Sequence, residues 1–317
     1  MVTLAGLVAG ALLALRGGGR VTVAQRTPSP SPTVQLRSPF TGDPVRALNR
    51  VLTVKIDNIG YARPQTGLTR ADIVYVLPVE GGLSRFLAVF SSHYPPVIGP
   101  VRSAREDDLQ LLRQFGHPAF AYSGATATLL PYILRTARIV DLYSGTASGY
   151  FRDNRRIAPY NLYARTRALL RQARAASKAH DIGFRFGPPP PGGKITRSAS
   201  VSYPAASFTF TWSPAKGRWL VSMDGAAAKT TDGGRLAPAT VVIQHTTVRT
   251  SRFLEYGKPP PYAESVGSGT AQVLRNGKEW TVHWSRPNAN GGTTFTTASG
   301  RRMTFAPGQV WIVLAYR

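Results

Sequence analysis

The 317-residue sequence contains no cysteine. Disulfide frameworks, thiol catalysis, thiolate metal sites and lipid attachment through cysteine are thereby excluded. Carboxylates are scarce too: 15 Asp plus Glu face 39 Lys plus Arg, a formal net charge of +24 with the histidines neutral. Few groups are left from which to build an acid/base pair or a hard-cation site. The five histidines, His93, His117, His180, His245 and His283, never fall at metal-ligand spacing. No glycine-rich phosphate loop follows a strand and no nucleophile elbow is present, which argues against a conventional zinc enzyme or nucleotidase. His245, behind the β-branched run 241–243, reads as a hydrogen-bonded structural histidine. Neither a metal nor a cofactor is expected.

Long apolar runs are lacking except at the beginning. Residues 1–15 (MVTLAGLVAGALLAL) are apolar or small, short of the ~20 needed to span a bilayer as a helix. They fit the apolar part of a secretory signal, although no positive residue precedes them. Small residues at Thr22, Val23 and Ala24 offer a cleavage point before Gln25. Residues 27–33 (TPSPSPT) alternate proline with small polar residues and read as a stiff, extended tether. The expected layout is a signal peptide or membrane anchor over 1–24, a tether over 25–36 and then a globular body. That is an extracytoplasmic arrangement, secreted or held at the outer face of the cytoplasmic membrane, with membrane contact through the N-terminal segment if it is uncleaved.

What the chain has in abundance is arginine, 32 residues against 7 lysines. The excess is even: residues 37–186 carry 21 basic and 10 acidic side chains, and residues 192–317 carry 15 and 5. An even spread without charge runs or a recognisable DNA- or RNA-binding motif argues against nucleic acid as the partner. Attraction to polyanions in general still follows.

In the body, 51–57 (VLTVKID), 72–77 (DIVYVL) and 84–91 (SRFLAVFS) read as strands. Leu109, Leu111, Leu112 and Phe115 lie at helical spacing. Glu106, Asp107 and Asp108 suit the first turn of that helix, with Ser103 as N-cap. A strand at 120–122, a helix at 125–135, a strand at 139–142 and a second long helix at 160–180 follow. The GPPPPGG linker at 187–193 admits neither helix nor central strand. Beyond it, eight short aromatic or β-branched segments fill 199–316, and Asn276-Gly277 marks a hairpin. The fold class is therefore α+β in two domains: an N-terminal mixed α/β sheet with flanking helices over 37–186, and a C-terminal, mostly antiparallel β domain over 194–317.

Polar residues crowd the predicted strand ends of the first part. They include Asp57, Asn58, Arg63, Glu80, Arg85, Arg102, Ser103, Arg105, Tyr122, Arg152 and Asn161. Arg102, Ser103 and Arg105 before a helix suit an anion. Asp57 and Glu80, if they meet, could act as an acid/base pair, hold a hard cation or hydrogen-bond hydroxyls. The competing reading is a structural network in which Arg and Asp at strand ends pair with one another. Three functions stay open: binding of an anionic or glycan-type ligand of the cell wall, hydrolysis of a wall polymer by Asp57 and Glu80, and a purely structural envelope scaffold.

The strings KIDNIGYARPQTGLTRADIVYVLPVEGGLSRFLAVF, IGPVRSAR, AYSG and FRDNRRIAPYNLY, with PATVVIQ, VGSGTAQVLRNGKEWTVHW and FAPGQVWIV further on, resemble the YerB-like lipoprotein family of bacteria, DUF3048. The likeness covers about residues 36–317. It implies a two-part extracytoplasmic protein, usually lipid-anchored, with no established activity. Asp57, Arg63, Glu80, Arg85, Arg102, Ser103, Arg105 and Asn161 keep the family pattern. Two departures stand out. There is no lipid-attachment cysteine, and the family motif Ala-Pro-His-Asn-Leu-Tyr appears as Ala158-Pro159-Tyr160-Asn161-Leu162-Tyr163, so no mechanism resting on that histidine operates here.

Overall fold

The computed structural model describes residues 35–255 and 257–316. The apolar leading segment and nearly all of the tether lie outside them. Strands from both parts of the chain join in a single 11-stranded sheet. In chain order its strands are β1 (Leu52–Asp57), β2 (Ile73–Pro78), β3 (Ser84–Phe90), β4 (Ala119–Tyr122), β5 (Val140–Tyr143), β6 (Lys194–Ile195), β7 (Thr240–Thr246), β8 (Gly267–Arg275), β9 (Lys278–Arg286), β10 (Thr294–Thr297) and β11 (Val310–Tyr316). Across the sheet they run β10-β9-β8-β7-β11-β2-β3-β1-β4-β5, with β6 also pairing on β9. The two parts meet where β2 runs parallel to β11, with Ile73 opposite Val310 and Val76 opposite Val313. The linker at 187–193 separates the two sets of strands in sequence, yet the described residues form one compact unit.

The central strands are apolar on both faces because both faces are covered. Val74 and Val76 of β2, Phe86 of β3 and Trp311 of β11 face one cluster, while Ile73, Tyr75, Leu87 and Ile312 face the other. A separate four-stranded antiparallel sheet, built from Ser198–Tyr203, Ala206–Ser213, Arg218–Met223 and Ala226–Ala227, covers the first face. Phe208 meets Phe86 edge-on at 6.1 Å and Phe210 meets Trp311 at the same distance. Helices α1 (Glu106–Leu112) and α2 (Leu129–Thr136) place Leu111, Leu112 and Ile133 in the other cluster. The α+β class holds, with a mixed sheet in the first part and antiparallel pairing dominant in the second. Among the described residues no helix is long and apolar enough to cross a membrane.

Two local expectations need correction. The long helix at 160–180 is instead a strand, Leu162–Arg165, followed by the short helix α3, Thr166–Gln172. Leu162–Arg165 pairs with Tyr150–Arg152 and with Val97–Ile98. Beyond α3, Val51 N–H donates to the Ser177 carbonyl and Ala179 N–H to the Asn49 carbonyl. Backbone groups that a longer helix would satisfy internally are thus taken by the entry to β1, and Ala/Leu/Arg composition yields to tertiary pairing. Ser103 is not the N-cap of α1 either. Arg105 holds that position, and the Asp108 carboxylate accepts its N–H at 2.7 Å.

Candidate functional site

β1 ends on Asp57, and the turn that follows carries Asn58. The Asp57 carboxylate accepts the Asn58 N–H at 2.8 Å and pairs with Arg102 Nε at 2.8 Å. Asn58 donates to Ser84 Oγ at 2.9 Å and accepts from Arg63 Nε at 3.1 Å and Gln65 Nε2 at 2.9 Å. Arg63 then reaches into the second part of the chain, to Asp224 at 2.7 Å. The guanidinium of Arg102, 23% exposed, lies over the ring of Tyr160 at 5.5 Å. Tyr160 stacks on Tyr61 with ring centroids 5.8 Å apart, and Tyr61 is 70% exposed. Beside Tyr160 in sequence, Asn161 accepts Arg152 Nη1 at 2.7 Å and donates to the Arg156 carbonyl at 3.3 Å. These contacts form a lip in which the Tyr61 ring is exposed, Tyr160 is half-buried and the charged groups beneath them are held in place.

The turn after β2 gathers a second group, more deeply set. Glu80 accepts Arg85 Nη2 at 2.8 Å and Arg105 Nε at 2.8 Å, and a further bond from Arg105 Nη2. Arg105 also pairs with Glu255 at 3.0 Å, and Arg85 donates to the Ser103 carbonyl at 3.2 Å. Arg85 and Arg105 are 6% and 2% exposed. Lys55 and Asp108 form a fully buried ion pair at 2.7 Å under the same end of α1. Burial alone would raise the Glu80 pKa, but the Arg105 hydrogen bonds and the charges of Arg85 and Arg105 outweigh it and bring it down to about 2. Burial pulls the Arg85 pKa down to about 10, helped by the neighbouring charge of Arg105. For Arg105, burial is overcome by the Glu80 hydrogen bond and by the charges of Glu80 and Glu255, and its pKa rises.

The predicted site residues therefore divide. Asp57, Asn58, Arg63, Arg102, Arg152 and Asn161 support the lip, whereas Glu80, Arg85, Ser103 and Arg105 belong to the ionic cluster. Arg105 is enclosed between two carboxylates and presents no guanidinium edge for an incoming anion. Tyr122 joins neither group: it is buried in the core, stacked on Phe120 at 4.8 Å and Tyr143 at 5.6 Å. Burial first, and Asp141 next, push its pKa above the ordinary value. Asp57 and Glu80 are each engaged by guanidinium groups, and a general acid needs a raised pKa where Glu80 has a lowered one. Tyr61, Asp224 and Glu255 were invisible to sequence reasoning, since an isolated tyrosine in a turn and acids more than 140 residues from their partners leave no local pattern.

Comparison with known proteins is decisive for kinship. Residues 40–180 match the N-terminal domain, and residues 199–312 the C-terminal domain, of the proteins of unknown function designated DUF3048. The chain belongs to the DUF3048 family. It is 42% identical over 89 residues to a Bacillus subtilis (strain 168) protein described as "Putative lipoprotein YerB". That stretch spans 27% of this chain and 27% of the relative's length. The crystal structure of YerB protein from Bacillus subtilis superposes with a TM-score of 0.76 over 89% of this chain and 97% of that one, at 22% identity. The likeness establishes a shared fold over most of the chain.

Proposed function

We propose that the protein is an extracytoplasmic component of the cell envelope that binds an anionic or glycan-type surface ligand at the Tyr61–Tyr160 lip without chemical turnover. Support for the location comes from the apolar leading segment, the Pro/Ser-rich tether and the lipoprotein description of the relative. Support for binding rests on one observation above all: an exposed Tyr61 ring stacked on the half-buried Tyr160, over which packs a guanidinium that is itself fixed by Asp57. Exposed aromatic faces offer apolar area at low entropy cost, and a fixed polar group beside them supplies orientation. The deep ionic cluster around Glu80, whose charges pair with one another, is read as architecture and takes no part in the lip.

The test is co-sedimentation of the full chain with purified bacterial cell wall across a salt series. A Tyr61→Ala, Tyr160→Ala double variant is run beside it. Retention by the parent that survives ~0.5 M salt, where the Debye length is only about 4–5 Å, and falls at least tenfold in the variant is the expected result. Equal retention of the two proteins, fading together as salt rises, would show that net charge alone holds them and would end this reading.

A further inference from the structure

Helix α3 has a feature that the lip does not use. A groove of about 460 Å³ runs along it, with Arg50, Arg167, Arg171 and Arg174 in its lining and no acidic residue. Arg167 and Arg171 stand one turn apart, about 6 Å along the axis, and Arg174 continues the stripe past the helix end. Like charges at that spacing weaken a helix. Even so, none of the four arginines has a carboxylate partner among the described residues, where nine acids do form ion pairs.

The groove is also built. Arg50 is fixed by donating to the carbonyls of Leu170 at 2.9 Å and Ala173 at 3.2 Å, which caps α3. Pro95 and Pro96 form the facing wall, and the Pro96 carbonyl accepts the Thr166 N–H at 3.1 Å. Thr166, itself 2% exposed, lines the groove with a buried hydroxyl that has no hydrogen-bond partner.

We infer that this groove is a second binding site, for a linear polyol phosphodiester chain. Guanidinium forks match phosphate oxygens two at a time. A stripe of them repeated turn by turn fits a polymer carrying one charge per repeat rather than a single compact anion. The Thr166 hydroxyl adds a neutral donor for a phosphate or polyol oxygen. Single-stranded nucleic acid is a poorer match, because it is held by aromatic rings on which bases stack. Here the one ring in the groove, Tyr94, has its hydroxyl engaged by the Arg50 carbonyl.

The experiment is titration of the full chain with synthetic poly(glycerol phosphate) over a salt series, using an Arg167→Gln, Arg171→Gln, Arg174→Gln triple variant. An Arg197→Gln, Lys216→Gln, Arg301→Gln variant, exposed elsewhere, carries the same change in net charge. The site predicts at least tenfold weaker binding in the α3 variant, a salt slope shallower by about 2 for three lost contacts, and near-parent binding in the control. Equal weakening of both variants would reduce the groove to bulk electrostatics. Tighter binding to single-stranded DNA of equal charge, or to anionic lipid vesicles, would assign it to a different partner and refute the inference. The lip is judged by cell-wall retention of the Tyr61→Ala, Tyr160→Ala variant and the groove by this titration of the α3 variant, so the two succeed or fail separately.

Discussion

Replacing Glu80 by glutamine tests whether the ionic cluster is architecture. The substitution keeps shape but withdraws the charge that faces two guanidinium groups whose side chains are 7% and 2% exposed. Breaking a fully buried pair costs about 3–5 kcal/mol. Two features reduce that here: Glu80 is 30% exposed, and Arg105 keeps Glu255. We expect a loss of about 2–3 kcal/mol at pH 7 from urea unfolding, urea being preferred because it does not screen charge. The loss is to be pH-dependent with a defined sign. Glu80 lies below its ordinary 4.5, at about 2. Its contribution is fully present above pH 4.5 and disappears as pH falls toward 2, so parent and variant converge there. Retention on cell wall should be unchanged, because the lip is left intact. A variant within 0.5 kcal/mol of the parent at pH 7, or a difference as large at pH 3 as at pH 7, would refute the reasoning.

Asp107 poses the opposite case. It is fully buried, its carboxylate oxygens make no hydrogen bond of ordinary geometry, and burial raises its pKa to about 7, with Asp108 adding to the rise and Lys55 opposing it. Its ionisation therefore costs stability progressively between about pH 4 and pH 7. Asp107→Asn should flatten that decline, gaining more than about 1 kcal/mol on the parent between pH 4 and pH 8 in urea unfolding; parallel pH profiles would show that Asp107 stays charged throughout. At the β8–β9 turn, Asn276 and Gly277 have φ of 50° and 70°, and a Cβ on Gly277 would come 2.8 Å from Trp212 Nε1. Gly277→Ala is expected to cost about 1–2 kcal/mol, while Asn276→Gly stays within about 0.5 kcal/mol. A thermal melt of Gly277→Ala indistinguishable from the parent would mean that the turn relaxes freely.

Features that depend on neighbours along the chain could be read from the residues alone. β1, β2 and β3 were legible as β-branched runs, Asn276-Gly277 as the turn between β8 and β9, and Glu106, Asp107 and Asp108 as the first turn of α1. Each rests on local backbone preference or on a pattern a few residues long. The long strings from KIDNIGYARPQ to FAPGQVWIV carried the family, since they span almost the whole body. Composition misled at 160–180, where helix-forming residues lost their backbone partners to Asn49 and Val51. Folding in three dimensions was needed to join β2 to β11, to close Arg105 between Glu80 and Glu255, and to bring Tyr61 onto Tyr160. All three bring together residues far apart in sequence, and what selects them is the burial of apolar faces and the pairing of desolvated charges. Which strand meets which, and which charge meets which, leaves no pattern in a single sequence.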